Sequence, residues 1–266
     1  MTVTENWVLT KLRRGESTVG SWLSVGSPYL AQVMARCGFD WLVVDTEHGT
    51  VSYPDMVLSI QVLLPGPAVP IVRVPANDPV WIKRALDVGA LGVLVPMVMN
   101  REEAQRAASW ARFPPVGSRS AGGWLAGLWH GDDYFTASAS QTLVAVQIEH
   151  EEAVAKADEI ASVDGVDVVF IGPNDLAASM SLLGTNFRDN VRWKDAVQRV
   201  LEVSHSHGKA CGIQCSDFEE AFQRLEQGFR FVAVSSDARL LYSLVRPLAL
   251  RLKEKALSVR KPSASS

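Results

Sequence analysis

Long hydrophobic runs are missing from this 266-residue sequence. No apolar stretch approaches the ~18 residues that a membrane-spanning helix requires, and the opening MTVTENW lacks the charged-then-apolar pattern of a signal peptide. A cytoplasmic protein with no membrane partner is expected. Basic blocks are missing too: 26 Lys and Arg face 29 Asp and Glu, for a net charge of -3, with nothing denser than pairs such as Arg13-Arg14. That balance argues against a nucleic-acid partner. Cysteine is scarce. Cys37, Cys211 and Cys215 form no CxxC pair and read as small buried residues of a reducing compartment, without a chemical role. Glycine-rich phosphate loops are also lacking: no GxGxxG follows the first apolar run, and Gly122-Gly123-Trp124-Leu125-Ala126-Gly127 resembles no phosphate loop.

What is present is core-forming. The chain is 47% hydrophobic with a mean hydropathy of +0.08, and apolar strand patterns alternate with amphipathic helix patterns from Val19 onward. Strands are predicted near Val19–Val25, Trp41–Asp45, Ile71–Val74, Gly92–Pro96, Val144–Ile148, Val166–Ile171, Ala210–Gln214 and Phe231–Val234. They are continuous apolar runs, as in a parallel sheet buried on both faces. Helices are expected over Tyr29–Cys37, Pro54–Leu64, Pro79–Val88, Glu102–Arg112, Glu151–Ser162, Val191–His207, Asp217–Gln227 and Leu240–Leu257. Eight such units give an α/β fold, a (β/α)8 TIM barrel over residues 1–258, capped at its N-terminal end by the amphipathic segment Trp7 to Arg14. A doubly wound open sheet is the alternative. Residues 259–266 read as a flexible tail. Phe113 to Phe135 is a long excursion, too rich in Trp, Leu and Gly to be a simple connector; its Trp124–Trp129 region is expected at a subunit interface.

In a barrel, catalytic groups stand at the C-terminal ends of strands. The fifth strand exits through Gln147-Ile148-Glu149-His150, where alternation puts Gln147 and Glu149 on one face. The sixth exits through Gly172-Pro173-Asn174-Asp175. Glu149 and Asp175 therefore admit two readings: ligands of a hard divalent ion such as Mg²⁺ or Mn²⁺, or a solvated strand-end acid and a helix cap. The second strand exits through Asp45-Thr46-Glu47-His48, placing His48 as a general base with Asp45 to orient its ring. Arg73, between two β-branched residues at the top of the third strand, needs an anion or a polar cavity; it reads as a substrate clamp or as the partner of Asp45 or Glu47. Trp22, on the first strand, reads as core. None of the eight lysines lies at a strand exit, so Schiff-base chemistry is excluded and carbonyl chemistry would need a metal. The exits Cys215-Ser216-Asp217 and Ser235-Ser236-Asp237 lack the glycines of a barrel phosphate site, which disfavours a phosphosugar.

The stretches WLVVDTEHG, PIVRVPANDPVWIKRALDVGALGVLVPMV, RFPPVGSRS, VQIE and GVDVVFIGPNDLA together resemble the HpcH/HpaI aldolase family of metal-dependent pyruvate aldolases, in order and over most of the chain. The resemblance implies a barrel of the phosphoenolpyruvate/pyruvate-domain type and an aldehyde-lyase activity, the reversible cleavage of a 4-hydroxy-2-oxo acid to pyruvate and a small aldehyde. It implies a divalent cofactor, Mg²⁺, Mn²⁺ or Co²⁺, on Glu149 and Asp175. Gln147, Arg73 and Gly172 with the backbone of Pro173 after it are implied at the substrate, with His48 and Asp45 as base and partner, and Asp87 as an acid of undefined role; Asn174, which departs from the small residue frequent in the family, and Trp22 are further candidates for substrate contact. It further implies a hexamer, a trimer of dimers that exchange C-terminal helices. Oxaloacetate decarboxylation or lysis of a CoA thioester on the same site is the alternative activity; a barrel that binds without turnover is a third reading, against which the intact Glu149, Asp175, Arg73 and His48 stand.

Overall fold

A computed structural model of the chain describes residues 4–259. Eight parallel strands close into a barrel in sequence order: β1 Thr18–Leu23, β2 Trp41–Asp45, β3 Val69–Arg73, β4 Gly92–Val95, β5 Leu143–Ile148, β6 Val168–Ile171, β7 Ala210–Cys215 and β8 Phe231–Ser236. The (β/α)8 class is the one expected. The strands are apolar on both faces because both faces are buried. In β2, for example, Leu42 and Val44 point out into the layer shared with the helices, whereas Trp41 and Val43 point into the barrel. Inside, the Trp41 ring stacks on Phe231 at 3.8 Å. Gly20 makes room for that stack, since a Cβ there would overlap the indole.

The opening helix, Trp7–Arg13, starts where the Asn6 side chain accepts from the Leu9 N–H. Its Val8, Leu9 and Leu12 join the interior cluster and close the N-terminal end of the barrel. Each such burial is worth roughly 1.5–3 kcal/mol, so this plug also stabilises the ring of strands.

Several details differ from the sequence reading. The helix expected over Glu151–Ser162 is two, Glu151–Ala155 and Ala157–Ala161, broken where Lys156 leaves helical geometry at φ -101°, ψ 11°. The last helix runs Asp237–Val259, longer than expected, because Asp237 receives the Ala238 N–H at its start; Pro247 lies inside it. It takes in the first residue of the expected tail, and 260–266 lie outside the described residues. Cys211 and Cys215 are buried as expected, but Cys37 is exposed. It follows the helix Pro28–Met34 in a turn on the outside of the barrel, its thiol bonded to the Val33 carbonyl.

The excursion carries its own helices, Trp124–His130 and Tyr134–Ala137. It is docked on the end of the helix Pro79–Asp87: Arg119 donates to Asp87 at 2.6 Å and to the Tyr134 hydroxyl at 3.0 Å, and His130 meets the Gly89 carbonyl at 2.9 Å. Those residues lead into β4, so they occupy the N-terminal rim. Trp124, Leu128, Trp129 and Phe135 of this segment are exposed. No helix among the described residues is long and apolar enough to cross a membrane.

Candidate active site

A cavity of about 450 Å³ opens at the C-terminal ends of the strands, and its lining collects Trp22, Asp45, His48, Arg73, Gln147, Glu149, Gly172, Pro173, Asn174 and Asp175. Every residue singled out for the site from the sequence is therefore in one place, except Asp87. In its own chain Asp87 is on the opposite rim, paired with Arg119. No lysine lines the cavity.

Strand register builds the first pair. Asp45 and Arg73 are direct partners across β2 and β3, and Arg73 donates through Nε and Nη2 to the two Asp45 oxygens at 2.9 and 2.6 Å. Its Nη1 stands 3.2 Å from Glu47 Oε2, and its plane lies over the Trp22 ring at 4.3 Å. Both readings of Arg73 thus meet in one side chain: it is ion-paired and it faces the cavity. Two of its five N–H donors are consumed by Asp45, so others remain for a ligand. Trp22 is likewise both core and wall, 6% exposed, edge-on to Phe170 and bonded to Gln214.

Asp45 corrects one expectation. Rather than orienting the His48 ring, it accepts the backbone N–H groups of Glu47 and His48. The carboxylate that approaches the ring is Glu47, 3.9 Å from Nε2, and the His48 side chain is 63% exposed on the rim. With Arg73 occupying both oxygens of Asp45, that acid fixes the turn and the guanidinium.

Glu149 is not the solvated acid of the bland alternative. It is 3% exposed, accepts the Met97 N–H at 2.8 Å on Oε1 and the Gln147 amide at 3.0 Å on Oε2. Burial pushes its carboxyl up to about 7, with the negative charges of Glu47 and Asp175 adding to the rise. Burial also raises Glu47, against the pull of Arg73. Met97 holds its amide in place with a left-handed backbone, φ 51°. Gly172 supplies space: a Cβ would overlap Glu149 Oε2. Nor does the Asp175 side chain cap its helix, Pro173–Ser179. Gly172 is the N-cap and no side chain bonds there, which leaves first-turn N–H groups for other acceptors.

These features fit a divalent cation. Three carboxylates act on one another beside Arg73, which Asp45 and Glu47 already pair, and Gln147 Oε1 is buried without a hydrogen-bond partner. Among the described residues no group of three or more His, Cys, Asp or Glu could hold a metal, so an ion on Glu149 and Asp175 would have two protein ligands and room for substrate oxygens.

From the sequence, Glu47 is named only as a possible partner of Arg73, a pairing the 3.2 Å contact bears out, while Met97, Arg188 and Arg239 have no role. Alternation from Asp45 marks Glu47 as facing the same way. Met97 acts through its backbone, for which a side-chain pattern carries no signal.

Fold and cavity together define a (β/α)8 barrel with an acid-rich, lysine-free site at its catalytic face. A family model described as HpcH/HpaI aldolase/citrate lyase matches residues 18–243; the chain belongs to that family and is a carbon–carbon lyase. The chain is 39% identical over 259 residues to the 4-hydroxy-2-oxo-heptane-1,7-dioate aldolase of Escherichia coli (strain ATCC 8739), covering 96% of this chain and 98% of the relative. It is 41% identical over 250 residues to the enzyme of that name from Klebsiella pneumoniae subsp. pneumoniae, covering 92% and 93%. Among solved structures, the HpcH/HpaI aldolase/citrate lyase family protein from Burkholderia cenocepacia J2315 superposes with a TM-score of 0.88 at 34% identity, covering 93% of this chain and 99% of that one.

Proposed function

We propose that this lyase is a class II aldolase that reversibly cleaves a 4-hydroxy-2-oxo acid to pyruvate and an aldehyde. The observation that carries the reading is the buried Glu149 with Glu47 and Asp175 beside a fixed Arg73, with His48 on the rim and no lysine in the lining. A divalent ion such as Mg²⁺, Mn²⁺ or Co²⁺ on Glu149 and Asp175 would supply Lewis acidity toward the 2-oxo acid. The first-turn N–H groups after Gly172 and Pro173, with Asn174 beside them, receive the substrate carboxylate, and Gln147 borders it. His48 takes the C4 hydroxyl proton as the C3–C4 bond breaks. The bonding pair passes to C3 and the C2 oxygen, where the free N–H donors of Arg73 meet the developing charge. A proton delivered to C3 completes pyruvate, and the C4 fragment leaves as the aldehyde. Asp45 and Trp22 position Arg73 from its edge and face.

The exposed apolar face of Asp237–Val259, with Leu241, Leu244, Leu248 and Leu252, supports assembly through this helix, as a hexamer built from dimers that exchange it. Trp124 and Leu128 supply a second apolar surface. The barrel is one domain, and the enzyme acts in the cytoplasm. Chelator-treated protein should lose cleavage of a 4-hydroxy-2-oxo acid and regain it with Mg²⁺, Mn²⁺ or Co²⁺; full activity in metal-free protein would sink the mechanism.

A further inference from the structure

Facing Asp45, Glu149 and Asp175 across the cavity are Arg188, Gln214, Ser216, Ser235, Ser236 and Arg239. Among the described residues, Gln214 is the one of these six whose side chain is hydrogen-bonded to a residue in contact with Arg73. Its Oε1 accepts the Trp22 indole N–H, and its Nε2 donates to the Cys215 carbonyl at 2.8 Å. The two bonds fix the amide: an indole nitrogen can only donate and a carbonyl can only accept, so a flipped Gln214 would lose both. The reach spans a strand. Both β7 and β1 border β8, and the β8 residue in register with Gln214 is Ala233, which is also in register with Gly20 of β1. A methyl group at that level leaves the space over which the glutamine crosses.

Trp22 is held on its other sides by packing alone, edge-on to Phe170 at 6.1 Å and 78° and face-on to the Arg73 guanidinium at 4.3 Å. Asp45 takes two N–H groups of Arg73 in the guanidinium plane, which fixes one edge of the group but not its tilt about that edge. The indole face sets the tilt. Tilt decides where the remaining N–H donors point, and so how they meet the charge that develops on the C2 oxygen. Resting on the aldolase reading above, we infer that Gln214 is a positioning residue for bond cleavage: by holding the indole of Trp22 it sets the tilt of Arg73. Without that acceptor the indole N–H loses its partner inside the site, and the ring turns from the guanidinium to find another.

The test is exchange of the pyruvate methyl protons with D₂O in the presence of Mg²⁺, followed by proton NMR with no aldehyde present. A C3 proton leaves to a base, its bonding pair passes toward the C2 oxygen, and a deuteron returns to C3, so the rate reads the enolate half of the reaction alone. Gln214→Met, similar in length but without the acceptor, should lower kcat of exchange roughly 3–10-fold, the worth of one hydrogen bond, with KM for pyruvate moved less than about 2-fold. Gln214→Asn, whose shorter amide falls short of the indole, should match it, and carries the test alone if the methionine variant does not fold. Trp22→Phe, which loses the N–H and keeps a ring, should fall at least as far, and adding Gln214→Met to it should cost less than about 2-fold more. An unchanged kcat in the Gln214 variants, losses that multiply in the double variant, or an effect confined to the aldehyde's KM in condensation would overturn the inference and leave the aldolase reading standing. A wild type that neither exchanges pyruvate protons nor condenses pyruvate with an aldehyde would overturn the aldolase reading and this inference with it.

Discussion

Replacing Glu149 by Gln should stabilise the metal-free protein at pH 8 while destroying its response to metal. The side chain is buried and its carboxyl titrates near 7 instead of the usual 4.5, a rise of about 2.5 pH units. The stability this group contributes is complete below pH 4.5, where it is protonated in both states. It is lost as pH rises to 7, because the unfolded chain ionises first. At 1.36 kcal/mol per unit the loss above pH 7 is roughly 3 kcal/mol. Gln stays neutral and escapes it. Its oxygen can still accept the Met97 N–H, and Gln147, whose Oε1 has no hydrogen-bond partner, can turn that oxygen toward the new amide. Thermal unfolding in EDTA should therefore place Glu149→Gln above the wild type at pH 8 by roughly 6–10 °C, with the gap mostly closed at pH 5. Added Mg²⁺ should raise the wild type at pH 8 and leave the variant unmoved. A variant that melts below the wild type at pH 8 in EDTA, or a gap that ignores pH, would refute the claim that a buried, ion-starved carboxylate burdens the apo site.

Gly172→Ala has a compatible backbone, φ -89°, so its effect should come only from the methyl group pressing on Glu149. Mg²⁺ affinity by titration calorimetry should fall roughly 10–100-fold, and wild-type affinity would contradict the packing argument. His48→Ala should cost cleavage of a 4-hydroxy-2-oxo acid roughly 10²–10⁴-fold but decarboxylation of oxaloacetate less than ~10-fold, since the latter has no hydroxyl proton to remove; equal losses would show that His48 is not the base for that proton. Light scattering at micromolar concentration should give six chains of 29.0 kDa for the wild type and smaller species for Leu244→Glu with Leu248→Glu. A wild-type monomer would count against assembly through the last helix.

The barrel was legible because its signal is repetitive. Eight apolar runs alternating with helix patterns admit few folds, and the strand exits then follow from counting. Glu149, Asp175, Arg73 and His48 were readable for the same reason, each being a polar residue at the end of an apolar run. What could not be read is which groups satisfy one another there. Asp45 was expected either at the His48 ring or as a partner of Arg73, and only the β2–β3 register, which puts it opposite Arg73, decides between them: a guanidinium outcompetes an imidazole for both oxygens. Met97 contributes an N–H from a left-handed turn, a property of its backbone that its side chain does not announce. Arg188 was invisible as a cavity residue because it lies not at a strand exit but in the turn Phe187–Asp189, beyond the helix that follows β6.

The split between the two walls of the cavity also bears on how such an enzyme can change. The acid wall comes from β2, β3, β5 and β6, the guanidinium and serine wall from the exits of β7 and β8, the start of the last helix and the turn Phe187–Asp189. Substitutions in the last third of the chain, Gln214 apart, can therefore reshape one side of the cavity while Glu149, Asp175 and Arg73 on the other keep their places in the fold.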